Sequence, residues 1–128
     1  MNTVEISGGH KYQRKLCDSV INYTIKKLLP RLRTLEINVE LTNIPDDATG
    51  YCMIGDNNRE FYIEIDKKLN LKDMVLTICH EMVHVKQYAR NELNIRKESG
   101  GKNYWELPYE IEAYELQETL LKEYKGEM

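Results

Sequence analysis

No apolar run in this chain approaches the roughly 20 residues that a membrane-spanning helix needs, and its opening residues, MNTVEISGGHKYQRK, lack the apolar stretch of a secretory signal. A cytoplasmic protein without a membrane partner is expected. Cysteine is scarce: Cys17, Cys52 and Cys79 are an odd number without CxxC spacing, which argues against a disulfide framework or a zinc ribbon. They should be reduced and mostly structural. With a formal net charge of -3 and a pI near 5.7, the chain lacks the basic excess of a general nucleic-acid or membrane binder. Repeats and low-complexity tracts are also missing. A length of 128 residues suffices for one domain with a real core but not for two ordinary ones, so residues 1–128 are read as a single domain.

What charge there is lies unevenly. Lys11, Arg14, Lys15, Lys26, Lys27, Arg31 and Arg33 crowd the first third, and Glu106, Glu110, Glu112, Glu115, Glu118, Glu123 and Glu127 crowd the end. Two solvated helix faces, paired with each other, account for this; the competing account is a basic docking surface for nucleic acid or an acidic partner.

Between Tyr12 and Leu29, Leu16, Val20 and Tyr23 recur at helical spacing, and Pro30, which supplies no amide donor, ends the pattern. LEINVEL alternates with period two, residues Asp46 to Gly50 read as a turn, and YCMIG followed by FYIEID reads as a hairpin. A second helix is expected after Asn70, which can cap its first turn with Asp73 three residues on. NELNIRKESGGKN, from Asn91 to Asn103, is polar and aperiodic, a connection between helices. The last helix starts near Pro108, whose fixed φ suits a first helical position, and runs to about Tyr124. The expected order is helix, three strands, helix, loop, helix: a small α+β domain with helices on one antiparallel or mixed sheet.

Within the second helix lies HEMVH, formed by His80, Glu81 and His84. At about 100° per residue, Leu71, Val75, Ile78, Met82 and Ala89 share one side, and His80 and His84 leave the opposite side one turn apart. Two imidazoles so aligned can converge on one Zn²⁺, with Glu81 beside them to take a proton from an attacking water. By residue frequencies this pattern arises by chance in a chain of this length on the order of a few times per thousand. Leu76, Cys79 and Val83 widen the apolar surface, so the histidines are expected to be buried and to need partners.

A catalytic zinc usually has three protein ligands. The remaining histidine, His10, precedes the first helix and reads as a surface residue, so the third ligand should be a carboxylate. In LPYEIEAYELQETL the helical wheel places Tyr109, Ala113, Leu116, Leu120, Leu121 and Tyr124 on one arc. Glu110 and Gln117 fall inside it; Glu112, Glu115, Glu118 and Glu123 fall outside. A carboxylate on a core-facing arc is costly unless it meets a cation or strong donors, which favours Glu110.

With HEMVH and the later Glu110-Ile111-Glu112-Ala113, the sequence resembles the gluzincin metallopeptidases, most of all the minigluzincins and the ImmA/IrrE-like peptidases, from about the strands to the C-terminus. The resemblance implies a zincin-like fold, zinc held by His80, His84 and Glu110, and Glu81 as general base. It also implies that the small Ala113 lets two helices approach. Many gluzincins carry an acidic residue four positions after the ligand glutamate; here that residue is Tyr114. SprT-like proteases use a third histidine, which this chain does not offer downstream. Tyr104, Trp105 and Tyr109 are candidates to stabilise an oxyanion.

The function expected from these features is hydrolysis of peptide bonds in a peptide or protein substrate, with an edge strand such as YCMI aligning it. The competing reading is a metal-stabilised protein- or nucleic-acid-binding module without turnover.

Overall fold

The structure is a computed structural model and describes residues 1–45, 47–92 and 107–127. Its first helix, α1 (Lys11–Leu28), opens with a reciprocal cap: His10 Nδ1 accepts from the amide of Gln13 at 3.3 Å, and the Gln13 side chain accepts from the amide of His10 at 3.0 Å. His10 is therefore exposed, as expected, but it has a structural task. Pro30 follows directly on Leu29, the C-cap.

Strands β2 (Glu36–Thr42) and β4 (Glu60–Asp66) form the centre of the sheet and run parallel. Alternation aims Ile37, Val39 and Leu41 inward from β2, in register with Phe61, Ile63 and Ile65 of β4, and all six are buried. Each such side chain contributes about 1.5–3 kcal/mol through its removal from water. β3 (Gly50–Ile54) pairs antiparallel with β4 as the expected hairpin and forms one edge of the sheet.

The opposite edge is a strand that the three-strand expectation lacked. Thr3–Gly8, β1, lies parallel to β2, so the described sheet has four strands in the order β1-β2-β4-β3. Only Val4 and Ile6 face inward from β1, and its partner lies beyond the whole of α1, as a parallel pair requires. Two apolar positions are a faint local signal; pairing across the crossover supplies the rest. The chain is thus α+β with a mixed sheet, beginning with a strand and not a helix.

Helices cover one face of the sheet. The other carries Glu5, Glu36, Glu40, Glu60, Glu64 and Tyr62, with Glu36 beside Glu60 and Glu40 beside Glu64 in register. α2 (Leu71–Ala89) runs through the middle of the covered side. Its start matches expectation: Asn70 accepts from the Asp73 amide at 2.8 Å. Between Met74 and Val85 every residue but Leu76 is buried, because the sheet, α1 and the last helix surround it. Leu71, placed on the apolar side by the wheel, is 45% exposed, and its neighbours Lys72 and Asp73 in the first turn are exposed too.

The last helix, α3 (Pro108–Glu127), packs Ala113, Leu120, Leu121 and Tyr124 inward. Its Tyr124 meets Tyr23 edge-on at 5.3 Å between ring centres and Ser19 at 2.9 Å, fastening α3 to α1. Lys27 and Glu123 approach to 4.0 Å, one contact between the basic first helix and the acidic last one. Most of the expected connection between Asn91 and Asn103, from residue 93 on, lies outside the described residues, as does Asp46 in the expected turn.

Candidate metal centre

α2 and α3 bring together the three residues expected to bind metal. His80 and His84, one turn apart on α2, present their rings at 4.9 Å between centres. Glu110, in the first turn of α3, turns its carboxylate onto both: Oε1 lies 3.0 Å from His80 Nε2 and 2.8 Å from His84 Nε2. All three are buried, Glu110 to 1% exposure, and their ligand atoms lie within 4.8 Å of one another. This buried group could hold a metal ion.

The remaining ring nitrogens show why it fits a cation. His80 Nδ1 faces the side-chain oxygen of Gln117 at 2.8 Å, and His84 Nδ1 faces that of Gln87 at 2.7 Å. An amide oxygen only accepts, so each Nδ1 carries the hydrogen and each neutral imidazole directs the lone pair of Nε2 at Glu110. Two nitrogen lone pairs and a carboxylate oxygen then converge, an arrangement that a cation between them, or a proton on one ring, makes favourable. Burial disfavours charge on His84, but hydrogen bonds with Glu110 and Gln87 and the nearby carboxylates outweigh it and raise its pKa.

Glu81 lies beside this group without belonging to it. It is buried, and burial raises its carboxyl pKa; the two imidazoles pull it down and Glu110 pushes it up. Glu81 and His80 line a cleft of about 680 Å³ whose other walls are Thr49, Gly50 and Tyr51 at the start of β3, Leu76 and Thr77 of α2, and Tyr114 and Gln117 of α3. Tyr114 sits with its ring 4.6 Å from that of His80. Burial, then Glu110 and Glu81, raise its pKa, so the phenol remains a donor at neutral pH.

The structure thus places His80, His84 and Glu110 in one cluster, with Glu81 lining the adjacent cleft, and leaves His10 at the N-terminal cap of α1. Glu112 is not one of this group and bonds Gln87 and Lys86 instead. Of the expected oxyanion candidates, Tyr109 stands 6.0 Å from the His84 ring, and Tyr104 and Trp105 lie outside the described residues. Sequence reasoning missed the two glutamines as partners of the imidazoles. Gln117 was visible as a polar residue on the apolar arc, and Gln87, three residues after His84, stands on the same face of α2 as the histidines.

Searches against family models, curated proteins and solved structures find no match. Among the described residues, no helix is long and apolar enough to cross a membrane.

Proposed function

We propose that this chain is a cytoplasmic zinc-dependent peptidase in which His80, His84 and Glu110 hold the metal and Glu81 is the general base. One observation carries the reading: three electron-pair donors converge beside a cleft, with a further buried carboxylate next to them. Two nitrogens and one oxygen are the three-ligand set that suits a catalytic zinc. Bound there, zinc would polarise a scissile carbonyl and acidify the attacking water.

The chain's own groups supply the rest. Glu81, buried beside the histidines, accepts the proton of the attacking water and delivers it to the leaving amine. Tyr114, in the cleft beside His80, donates to the carbonyl oxygen as negative charge develops on it. β3 is an edge strand whose first residues line the cleft, so an extended peptide can add to it by backbone hydrogen bonds. Three free cysteines suit a reducing compartment.

The test joins metal analysis to turnover. Zinc is measured after reconstitution, and cleavage of a diverse unfolded-peptide library is followed by mass spectrometry for the wild type and Glu81→Gln. One zinc per chain, with cleavage by the wild type alone, is expected. No zinc in the wild type overturns the reading. Stoichiometric zinc without cleavage replaces the peptidase with a metal-stabilised binding module.

A further inference from the structure

Gln87 does more than touch a histidine. It is 2% exposed, and its side-chain nitrogen donates to two acceptors on α3: the carbonyl oxygen of Tyr109 at 2.9 Å and Glu112 Oε1 at 2.9 Å. With both amide hydrogens committed, only the oxygen remains to face His84 Nδ1, at 2.7 Å. The orientation of the amide is therefore set from α3, and through it the tautomer of the ring. Glu112 is itself held by Lys86 Nζ at 3.1 Å. A continuous path of hydrogen bonds runs from a partly exposed ion pair, through Gln87, to a candidate ligand.

We infer that Gln87 is a positioning residue that keeps the Nε2 lone pair of His84 directed at the metal, and that its neutrality, together with that of Gln117, leaves the bound metal less tightly held and more electrophilic than carboxylates at the same places would. The inference rests on the proposed metal binding. Its physical basis is the charge behind the ring. A carboxylate hydrogen-bonded to Nδ1–H pushes electron density onto the imidazole and raises its basicity as a ligand. An amide oxygen orients the ring equally well without that charge. His80 and His84 both have the amide version, Gln117 serving the first and Gln87 the second.

Zinc affinity, measured by competition with a chromogenic chelator, tests this in three proteins. Gln87→Ala is expected to bind zinc about 10–100-fold more weakly than the wild type. The double variant Gln87→Glu with Glu112→Gln exchanges carboxylate and amide: the new amide at 112 donates to the carboxylate at 87, which still accepts from His84 Nδ1, while the carbonyl of Tyr109 gives up its donor. It is expected to bind more tightly than the wild type, a gain that a purely structural role for Gln87 does not supply. Nitrogen-15 NMR of the zinc-free wild type needs no variant and should show the hydrogen of neutral His84 on Nδ1. If the wild type binds no zinc, the metal reading itself falls. If it binds zinc and Gln87→Ala binds equally well, or the exchanged pair gains nothing over the wild type, or neutral His84 carries its hydrogen on Nε2 in the zinc-free protein, the positioning role is wrong while the metal site stands.

Discussion

Glu110 and Glu112 stand two residues apart on α3 and engage different parts of α2: Glu110 closes on the imidazoles of His80 and His84, whereas Glu112 reaches Gln87 and Lys86 nearer its end. Glu110→Ala should cost zinc affinity severely, since it removes a ligand. Glu112→Ala should cost less than about tenfold, because Gln87 keeps its second acceptor, the carbonyl of Tyr109. Chelator competition under identical conditions ranks the two. A larger loss in Glu112→Ala would contradict the observed rotation of the helix.

Removing the base should separate chemistry from binding. Glu81→Gln is expected to retain zinc and its melting temperature while losing about 10²–10⁴-fold in turnover. Tyr114→Phe should lower kcat and leave KM nearly unchanged, since the phenol is assigned to charge that develops during reaction. Steady-state kinetics on one cleaved peptide distinguishes them; a change in KM alone for Tyr114→Phe would make that residue a substrate contact.

Ala113 is fully buried on the inner side of α3. Ala113→Leu should destabilise the fold by about 1–3 kcal/mol through overpacking. It should also weaken zinc binding, because a helix pushed outward carries Glu110 with it. Denaturant unfolding and zinc competition on the same preparation check both; an unchanged zinc affinity would show that the first turn of α3 is held independently of Ala113.

Gly8 ends β1 at φ +78°, and a Cβ there would stand 2.1 Å from the carbonyl oxygen of Leu41. Neither the backbone angle nor the neighbour accommodates a side chain, so Gly8→Ala should destabilise by at least about 1–3 kcal/mol. Gly126, where an added Cβ would meet nothing within 4 Å, is the control. Gly126→Ala should be neutral or stabilise by up to about 1 kcal/mol, the helix-propensity gain. Thermal melts of both would test the N-terminal strand; equal effects would remove it from the sheet.

Burial raises the thiol pKa of Cys17, with Asp18 adding to it, to about 12, and burial alone brings Cys79 to about 12, against 9.0 for either when free. Below pH 9 neither group favours the unfolded chain. Above it the unfolded thiols ionise first, so stability falls between pH 9 and about 12, each group contributing up to about 1.4 kcal/mol per pH unit. Urea unfolding at pH 8 and pH 10.5 should show the loss, and Cys79→Ala should flatten the slope. A parallel slope in that variant would assign the alkaline loss to other groups.

Much of the candidate site was legible because its residues obey helical spacing. His80 and His84 share a face by a period of four, and Glu110 was the carboxylate that an apolar arc enclosed. The partners of the imidazoles were harder to read. Gln87 acquires its part only when α3 supplies Tyr109 and Glu112, and nothing in α2 alone specifies that docking. β1 was hidden for a related reason. Its pairing with β2 spans α1, while its own pattern offers two inward apolar residues, Val4 and Ile6. By contrast α1, α2, β2 and the β3–β4 hairpin carry their signals locally, in periodicity, caps and breakers, and formed where expected.

The glutamates on the side of the sheet that no described helix covers also govern how this molecule meets copies of itself. Glu36 stands beside Glu60 and Glu40 beside Glu64, with Glu5 on the adjoining strand. Two molecules approaching with these faces together would crowd at least ten carboxylates into one drying gap, a count of five from each. Back-to-back stacking of sheets, the route by which an open β surface would otherwise self-associate, is opposed by charge that is already in place.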